Sequence, residues 1–231
     1  MEKASCRRAA LAAVLMGLSL AGCAPSADTV LAELERQEPF YAALRTNEPE
    51  TYAKVRQVIT EAVAQGDRTA FRAKLRSIVL PAIMARVPAS KPETLIAFAT
   101  LGRDQARFLA RERPDLCNEF LLGTYVEAGS ILPRELTKRE TILYSDLLNG
   151  PKTSAVSAMT PAELESVATP AILETASRLG VTPQQVGTAL SQQGPEALQC
   201  QAGAELFDVI LAMPPAKRDK LLRTLMADIQ G

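Results

Sequence analysis

Proline placement constrains the fold of this chain more than any other feature of its sequence. Many of the 15 prolines fall at the start or end of segments whose apolar residues recur every three or four positions. Proline is tolerated in the first turn of an α-helix and breaks its interior, so this arrangement marks successive helix boundaries. No segment alternates apolar and polar residues for long enough to be a convincing strand. The sequence predicts an all-α domain of roughly eight to eleven helices, built as a multi-helix bundle or an irregular helical array.

Individual prolines predict two different outcomes. Where Ser or Thr stands three residues before Glu or Gln, with proline between them, the pattern predicts a capping box that starts a helix. The three such patterns are Ser90 to Glu93, Thr160 to Glu163 and Thr182 to Gln185. Pro81 and Pro170 instead lie inside periodic apolar segments. We expect Pro81 to kink its helix near Ser77, and Pro170 to divide its segment into two helices.

The first 22 residues differ in composition from the rest. Met1 to Arg8 is positively charged, and Ala9 to Leu20 is an uncharged run of 12 residues. This run is shorter than the roughly 20 residues that a membrane-spanning helix needs. The order Leu20-Ala21-Gly22-Cys23 follows it. The three features together resemble the lipobox signal peptide of bacterial lipoproteins, and residues 24–231 carry no family motif that we recognise.

The resemblance implies that residues 1–22 are cleaved and that Cys23 is lipidated, first on its sulfur and then on its new amine. Several acyl chains anchor a protein stably, because each buried methylene contributes about 0.8 kcal/mol. Residues 23–28 would form a short lipid tether, and residues 29–231 the helical domain on the periplasmic side. In this family the residue after the cysteine helps to sort proteins between membranes, and Ala24 favours the outer membrane over the inner one.

Composition excludes several kinds of chemistry. The chain contains no histidine, which excludes Ser-His-Asp and Cys-His catalysis and zinc sites built on imidazole. We expect neither a metal nor a cofactor. The leader holds three basic residues and one acid, so 23 basic and 25 acidic residues remain from the 26 of each. This balance gives no basic excess for nucleic acid, and 47% hydrophobic residues are enough for a core.

Two cysteines remain in the exported part of the chain, Cys117 and Cys200. Disulfides persist in oxidising compartments, and two lone cysteines so far apart make a poor metal site. We therefore expect a disulfide between them. The alternative is a pair of buried thiols that act as small apolar core residues.

A basic strip follows Asp67. Arg68, Arg72 and Arg76 are spaced four apart, so a helix places them along one side. Further basic residues before the next acid, Glu93, are Lys74, Arg86 and Lys91. Such a face could contact anionic lipid headgroups or an acidic partner protein. The alternative is a solvated polar face opposite the apolar core face of the same helix.

Residues 176–186 have the spacing of a DNA-binding helix-turn-helix, which they resemble in Ala176, Gly180 and Val186. A small residue, a turn glycine and an apolar anchor also serve any tightly packed pair of helices. Beyond the turn, Gln184 and Gln185 have no Lys or Arg nearby to bind phosphates. We therefore interpret the motif as packing and expect no nucleic-acid partner.

Acidic residues are the main remaining route to catalysis. They form two groups in the sequence: Glu112, Asp115 and Glu119 near Cys117, and Glu163 and Glu165 near a helix start. Paired carboxylates could serve a wall-cleaving glycosidase. However, the helix dipole alone favours acids in a first turn, and no spacing here fixes a catalytic pair. A Ser-Lys arrangement at Lys152 and Ser154 is equally undefined.

These observations favour a membrane-anchored, periplasm-facing lipoprotein that acts by binding, as an accessory or assembly factor with an envelope protein partner. The alternative from another class is a His-independent hydrolase of cell wall or lipid that uses carboxylates. DNA binding ranks last. Residues 150–160 are the most linker-like stretch, and they leave open a division of the domain into two lobes.

Overall fold

The computed structural model describes residues 26–65, 68–121, 131–151 and 159–228, with side chains for all of them except 65, 68–73 and 228. Within these ranges the chain forms eleven α-helices, one 3₁₀ turn at Pro114–Leu116 and no strand. The helices are α1 Ala27–Gln37, α2 Pro39–Asn47, α3 Pro49–Gln65, α4 Arg68–Met84, α5 Pro92–Glu112, α6 Cys117–Leu121, α7 Arg134–Asn149, α8 Pro161–Leu179, α9 Pro183–Leu190, α10 Glu196–Leu211 and α11 Pro215–Asp228. The all-α prediction is confirmed.

Proline ends one helix and starts the next at the first two helix junctions. Single residues, Glu38 and Glu48, join α1 to α2 and α2 to α3. Each precedes a proline, whose ring disfavours the α conformation at the residue before it. Glu38 is accordingly extended, with φ −127° and ψ 91°. Pro39 has no backbone N–H, so the first position of α2 leaves no donor without a partner.

Side-chain contacts fix the relative directions of the helices in this half of the fold. The Thr141 hydroxyl donates to the Glu38 carboxylate at 2.7 Å, and the Asn47 amide donates to the Asn149 side-chain oxygen at 3.0 Å. Residue numbers therefore rise together along α2 and α7, which run parallel. The α3–α4 pair is an antiparallel hairpin.

The largest core cluster draws on α1 to α5, α7, α10 and α11. Its most buried large side chains are Leu44, Val55, Ile59, Ile83, Leu95, Leu147, Leu148, Ile210, Leu221 and Leu222. Residues on both sides of 150–160 thus share one core. The division into two lobes at that stretch stays a prediction.

Two smaller clusters complete the interior. Leu109, Cys117, Leu132 and Cys200 form one of them, where α5, α6 and α10 meet. The other contains Ala176, Val186, Ala189 and Ala202, which hold α8 and α9 against α10. Helix α10 joins all three clusters and packs along α5, so it is the central element of the second half of the chain.

Two of the three predicted capping boxes are confirmed. The hydroxyls of Thr160 and Thr182 accept the backbone N–H three residues later, and the side chains of Glu163 and Gln185 bind back. The box predicted at Ser90 is wrong. The Ser90 hydroxyl donates instead to the Val87 carbonyl at 2.7 Å, and Lys91 occupies the N-cap position without a side-chain bond.

The two interior prolines, Pro81 and Pro170, both lie inside continuous helices, although Pro170 was expected to divide its segment. Pro170 does not divide its segment, because α8 continues through it from Pro161 to Leu179. The residue is exposed, so the carbonyl left without an N–H partner faces the solvent side of the helix. Pro81 lies inside α4 as expected, and the kink near Ser77 stays a prediction.

No helix in the described part of the chain combines the length and apolar character needed to cross a bilayer.

Candidate functional site

Arg86 is buried where several helix ends meet, just beyond the end of α4. Its side chain is only 3% exposed. Nε and Nη2 donate to Oε1 of Glu48 at 3.1 Å and 2.6 Å. Nη1 donates to the Gly150 carbonyl at 2.6 Å, and Nη2 also donates to the Asn47 carbonyl at 3.3 Å. One guanidinium therefore joins the α2–α3 junction, the end of α7 and the segment that follows α4.

The electrostatics of these helix ends explain why a buried cation is stable there. Asn47 ends α2 and Gly150 follows α7, so Arg86 binds carbonyls at two helix C-termini, where the helix dipole is negative. Glu48 precedes the first residue of α3, where the dipole is positive. The ion pair thus complements three helix ends at once, and the hydrogen bonds offset much of the desolvation cost.

A cleft of about 350 Å³ opens beside Arg86. It is lined by Arg86, Ser90, Lys91, Thr94, Asp146, Leu147, Asn149, Gly150 and Pro151. The exposed Lys91 and Asp146 form no ion pair with the described part of the chain. Lys91 occupies the N-cap position of α5 without a side-chain capping bond, and the first backbone bond of the helix runs from Leu95 N to Lys91 O. The cleft therefore offers the Lys91 ammonium, the Asp146 carboxylate and helix-terminal N–H groups to a ligand that carries one anionic and one cationic group.

The predicted basic strip is only partly described. Arg68 and Arg72 lie in the first two turns of α4, and their side chains are outside the described residues. Arg76 is half-buried and close enough to Tyr144 of α7 to influence that hydroxyl electrostatically. Burial raises the pKa of Tyr144 well above its usual value, and Arg76 opposes that rise. Arg86 belongs to the buried junction rather than to a contact face.

Cys117 and Cys200 lie at disulfide distance, which supports the predicted pairing. Their Cα atoms are 5.4 Å apart across 83 residues of sequence, and both residues are fully buried. The pair connects the start of α6 to α10 within the cluster that contains Leu109 and Leu132. Cys23 and the rest of the lipobox lie outside the described residues, so lipidation stays a prediction.

Three of the five acidic residues considered for catalysis, Glu112, Asp115 and Glu163, are engaged with cations or with backbone. Arg111 binds Glu112 at 2.6 Å, and Arg113 binds Asp115 at 2.7 Å. The hydrogen bond from Arg113 holds the pKa of Asp115 below its usual value. Glu163 accepts from the Thr160 backbone, which lowers the pKa of its carboxyl, and it also binds Lys220. The lowered pKa values keep Asp115 and Glu163 ionised, whereas a general acid needs a raised pKa.

Across the described ranges there is no group of three Cys, Asp or Glu side chains placed to hold a metal ion.

The helix-turn-helix spacing corresponds to a packed pair of helices, as the packing interpretation expects. Gly180 ends α8 with a left-handed φ of 67°. Ala176 and Val186 are buried together in one cluster. Arg178, the basic residue of the turn region, binds Glu174 at 2.9 Å and Glu205 of α10 at 3.0 Å. Its charge is therefore compensated within the fold.

Sequence reasoning missed a ladder of ion pairs that runs across four helices. Its members, in order from α7 through α5 and α10 to α8, are Arg139, Asp104, Arg103, Asp208, Arg107, Glu205, Arg178 and Glu174. Burial pushes the pKa of Asp104 upward, but hydrogen bonds from Arg139 and Arg103 outweigh it and lower the pKa. Only the pair Arg178–Glu174 has a local i, i+4 spacing, so the sequence offered no other signal.

No protein-family model matches the chain, and comparisons with curated proteins and with solved structures found no match either.

Proposed function

We propose that this protein is a periplasm-facing lipoprotein that is anchored through Cys23 and acts by binding, as an accessory or assembly factor of the bacterial envelope. The outer membrane is the proposed location, because Ala24 follows the lipidated cysteine. The partner is an envelope protein, and the anchor adds contact with the membrane itself. Neither nucleic acid nor a cofactor is part of this proposal.

The observation that carries the proposal is how soon the fold begins after the lipobox. Ser26 already caps α1, because its hydroxyl accepts the Thr29 backbone N–H at 3.2 Å. Helix α1 starts at Ala27, four residues after Cys23. An acylated Cys23 would therefore hold a folded helical surface against the bilayer, which suits a protein that meets partners at the membrane.

Two further features support binding in an oxidising compartment. The disulfide distance between Cys117 and Cys200 fits an exported protein better than a cytosolic one. The cleft beside Arg86 presents Lys91 and Asp146, which form no ion pair with residues that the structure describes. By contrast, Glu112, Asp115 and Glu163 are engaged with cations, so they do not favour the carboxylate hydrolase.

Metabolic labelling tests the anchor directly. Cells that express the chain would be grown with a labelled fatty acid, and the label should enter the wild-type protein but not a Cys23→Ser variant. Equal labelling of both, or of neither, would contradict the proposal.

Crosslinking in cells then tests the binding role. We expect one or two envelope proteins to be captured with the wild type and lost with the Cys23→Ser variant.

A further inference from the structure

The Arg86 junction gives this half of the molecule two distinct ends. Arg86 follows α4, binds the carbonyl after α7 and binds Glu48 before α3. These three helices have 17, 16 and 17 residues, so each extends about 25 Å away from the junction. The end of α3, the start of α4 and the start of α7 therefore gather at the opposite end of the molecule.

Basic residues are concentrated at that opposite end. Residues 61–76 and 134–138 contain six basic and three acidic residues, a net charge of +3. Residues 23–231 as a whole carry −2, so the remainder of the exported chain carries −5. We call Arg68, Arg72, Arg134 and Lys138 the basic pole. The charge of the exported chain is thus strongly asymmetric, although its total is close to zero.

Helix α7 supplies the exposed part of this pole. Arg134 and Lys138 are exposed, stand four residues apart, and form no ion pair with the described part of the chain. Ile142 continues the same side of α7 one turn later and is 54% exposed, which is unusual for a large apolar residue in this protein. Arg68 and Arg72 have the same four-residue spacing at the start of α4. Two helices therefore begin at this end with a pair of cations each in their first two turns, and the exposed Ile142 follows the pair on α7.

The Arg86 end has the opposite character. Glu50 in the first turn of α3, Glu93 in the first turn of α5 and Asp146 near the end of α7 are all exposed there, and they outnumber the exposed Lys91 of the cleft. An anionic surface would attract the basic pole and repel this end, so charge selects one orientation.

The anchor lies within reach of the pole. Asp28, in the first turn of α1, binds Arg56 of α3 at 2.8 Å. Tyr52, one turn earlier in α3, binds Glu35, two turns later in α1, so the start of α1 points toward the end of α3. Arg56 is nine residues from Gln65, which corresponds to about 13 Å along the helix. The three residue steps from Cys23 to Ser26 span at most about 10 Å. A lipid on Cys23 would therefore bring the bilayer next to the α3–α4 hairpin.

We propose that the basic pole docks on an anionic phospholipid bilayer, so that the lipidated domain stands with the α3–α4 hairpin and the start of α7 toward the membrane. This inference rests on the proposed lipid anchor. An acidic protein would complement the same cations, but the short tether places the bilayer beside them, so the bilayer is the occupant that the geometry favours.

The experiment compares two lysines at opposite ends of one molecule. Lipidated wild-type protein is incorporated into vesicles of phosphatidylcholine alone or with phosphatidylglycerol, and flotation reports whether the protein is anchored. A membrane-impermeant amine reagent then labels exposed lysines, and mass spectrometry gives the rate at each site. On the anionic vesicles we expect Lys138 to react several-fold more slowly than on neutral ones, while Lys91 reacts equally on both.

Charge-reversal variants test whether the cations cause the protection. Arg68→Glu with Arg72→Glu should restore fast labelling of Lys138 on anionic vesicles. Lys91→Glu with Lys217→Glu makes the same charge change away from the pole and should leave Lys138 protected. Circular dichroism would verify that both variants are folded.

Each remaining outcome decides against a different part of the proposal. Protein that floats but shows equal labelling of Lys138 on both vesicles would keep the anchor and overturn the docking. Protection in cell envelopes but not on anionic vesicles would assign the pole to an acidic protein and would also overturn the bilayer proposal. Protein that fails to float would overturn the anchor and the docking together.

Discussion

Arg86, which is buried, and Glu48, which is partly exposed, form an ion pair in which Nη2 lies 2.6 Å from Oε1. The two residues are 38 positions apart in sequence, and the same guanidinium also binds carbonyls at the ends of α2 and α7. A single side chain thus sets the positions of four helix ends relative to one another. The cleft and the basic pole lie at the two ends of the helices that this junction organises.

Loss of the Arg86 charge should destabilise the protein strongly. Arg86→Met keeps most of the side-chain volume but removes the guanidinium that donates to the Glu48 carboxylate and to the Gly150 carbonyl. We expect a loss of about 3 to 5 kcal/mol in the free energy of unfolding, measured by urea denaturation. Arg56→Met is the matched control, because Arg56 pairs with Asp28 at an exposed site. That control should cost at most about 1 kcal/mol. Similar losses for the two variants would contradict the role of the junction.

Gly180 and Gly187 should respond in opposite directions to alanine substitution. Gly180 has a φ of +67°, and a Cβ there would meet no neighbouring atom, so only backbone strain opposes it. We expect Gly180→Ala to cost about 1 to 2 kcal/mol. Gly187 lies within α9 and also has open space around its Cα, so Gly187→Ala should stabilise by about 0.5 to 1 kcal/mol. Thermal unfolding of both variants checks the prediction, and two shifts of the same sign would contradict it.

Tyr41 should contribute a loss of stability at high pH. Burial, with help from the charge of Glu38, raises the pKa of Tyr41 from 10.0 to about 12. Between these values an unfolded chain releases the phenol proton while the folded chain keeps it, so stability falls as the pH rises. The full contribution is about 2 to 3 kcal/mol, lost between pH 10 and pH 12.

Urea denaturation of Tyr41→Phe, at pH values just below 10 and near 12, measures this contribution. The variant should lose less stability than the wild type over that interval. Burial also raises the pKa of Tyr144, so a smaller decline should persist in the variant. Identical declines in the two proteins would contradict the role of Tyr41.

The cysteines should behave as one unit rather than as two independent core residues. A bond that closes 83 residues of sequence stabilises by about 4 to 5 kcal/mol in the chain-entropy model. Breaking it from either side removes the same constraint. Cys117→Ala, Cys200→Ala and the double variant should therefore have similar unfolding midpoints in urea. Two buried free thiols would give effects that add, and the intact mass after alkylation would reveal them.

Local signals in the sequence were sufficient where the partners are also local. The Thr160 and Thr182 boxes each involve residues three positions apart, so their spacing predicted the bonds directly. Ser90 has the same spacing, but it follows a turn in which its hydroxyl can reach the Val87 carbonyl instead. Short polar side chains commonly make this choice between a cap and a turn. No residue in the sequence indicates whether Ser90 forms the capping bond or the bond to the Val87 carbonyl.

Pro170 shows how packing overrides a local rule. Proline removes one hydrogen bond from a helix, and this predicted a break. However, the next residues Ala171, Thr175 and Ala176 are buried in the protein, while Pro170 itself is exposed. Packing of that buried face keeps the two halves of α8 aligned, and the hydrogen bond that Pro170 removes is lost on the solvent-exposed side. Arg86 was unpredictable for a related reason, since its partners come from 38 to 64 residues away in sequence.

If Cys23 carries the proposed lipid anchor, Ser26 limits how far from the bilayer this protein can act. Because this residue already caps α1, there is no long linker that would let the domain swing outward. Among the helices that the structure describes, the longest is α5, which has 21 residues and measures about 32 Å. An anchored molecule could therefore contact partners only within a layer about one domain deep above the lipid headgroups. Any partner would have to enter that layer, so distance from the bilayer becomes a condition for recognition in addition to surface chemistry.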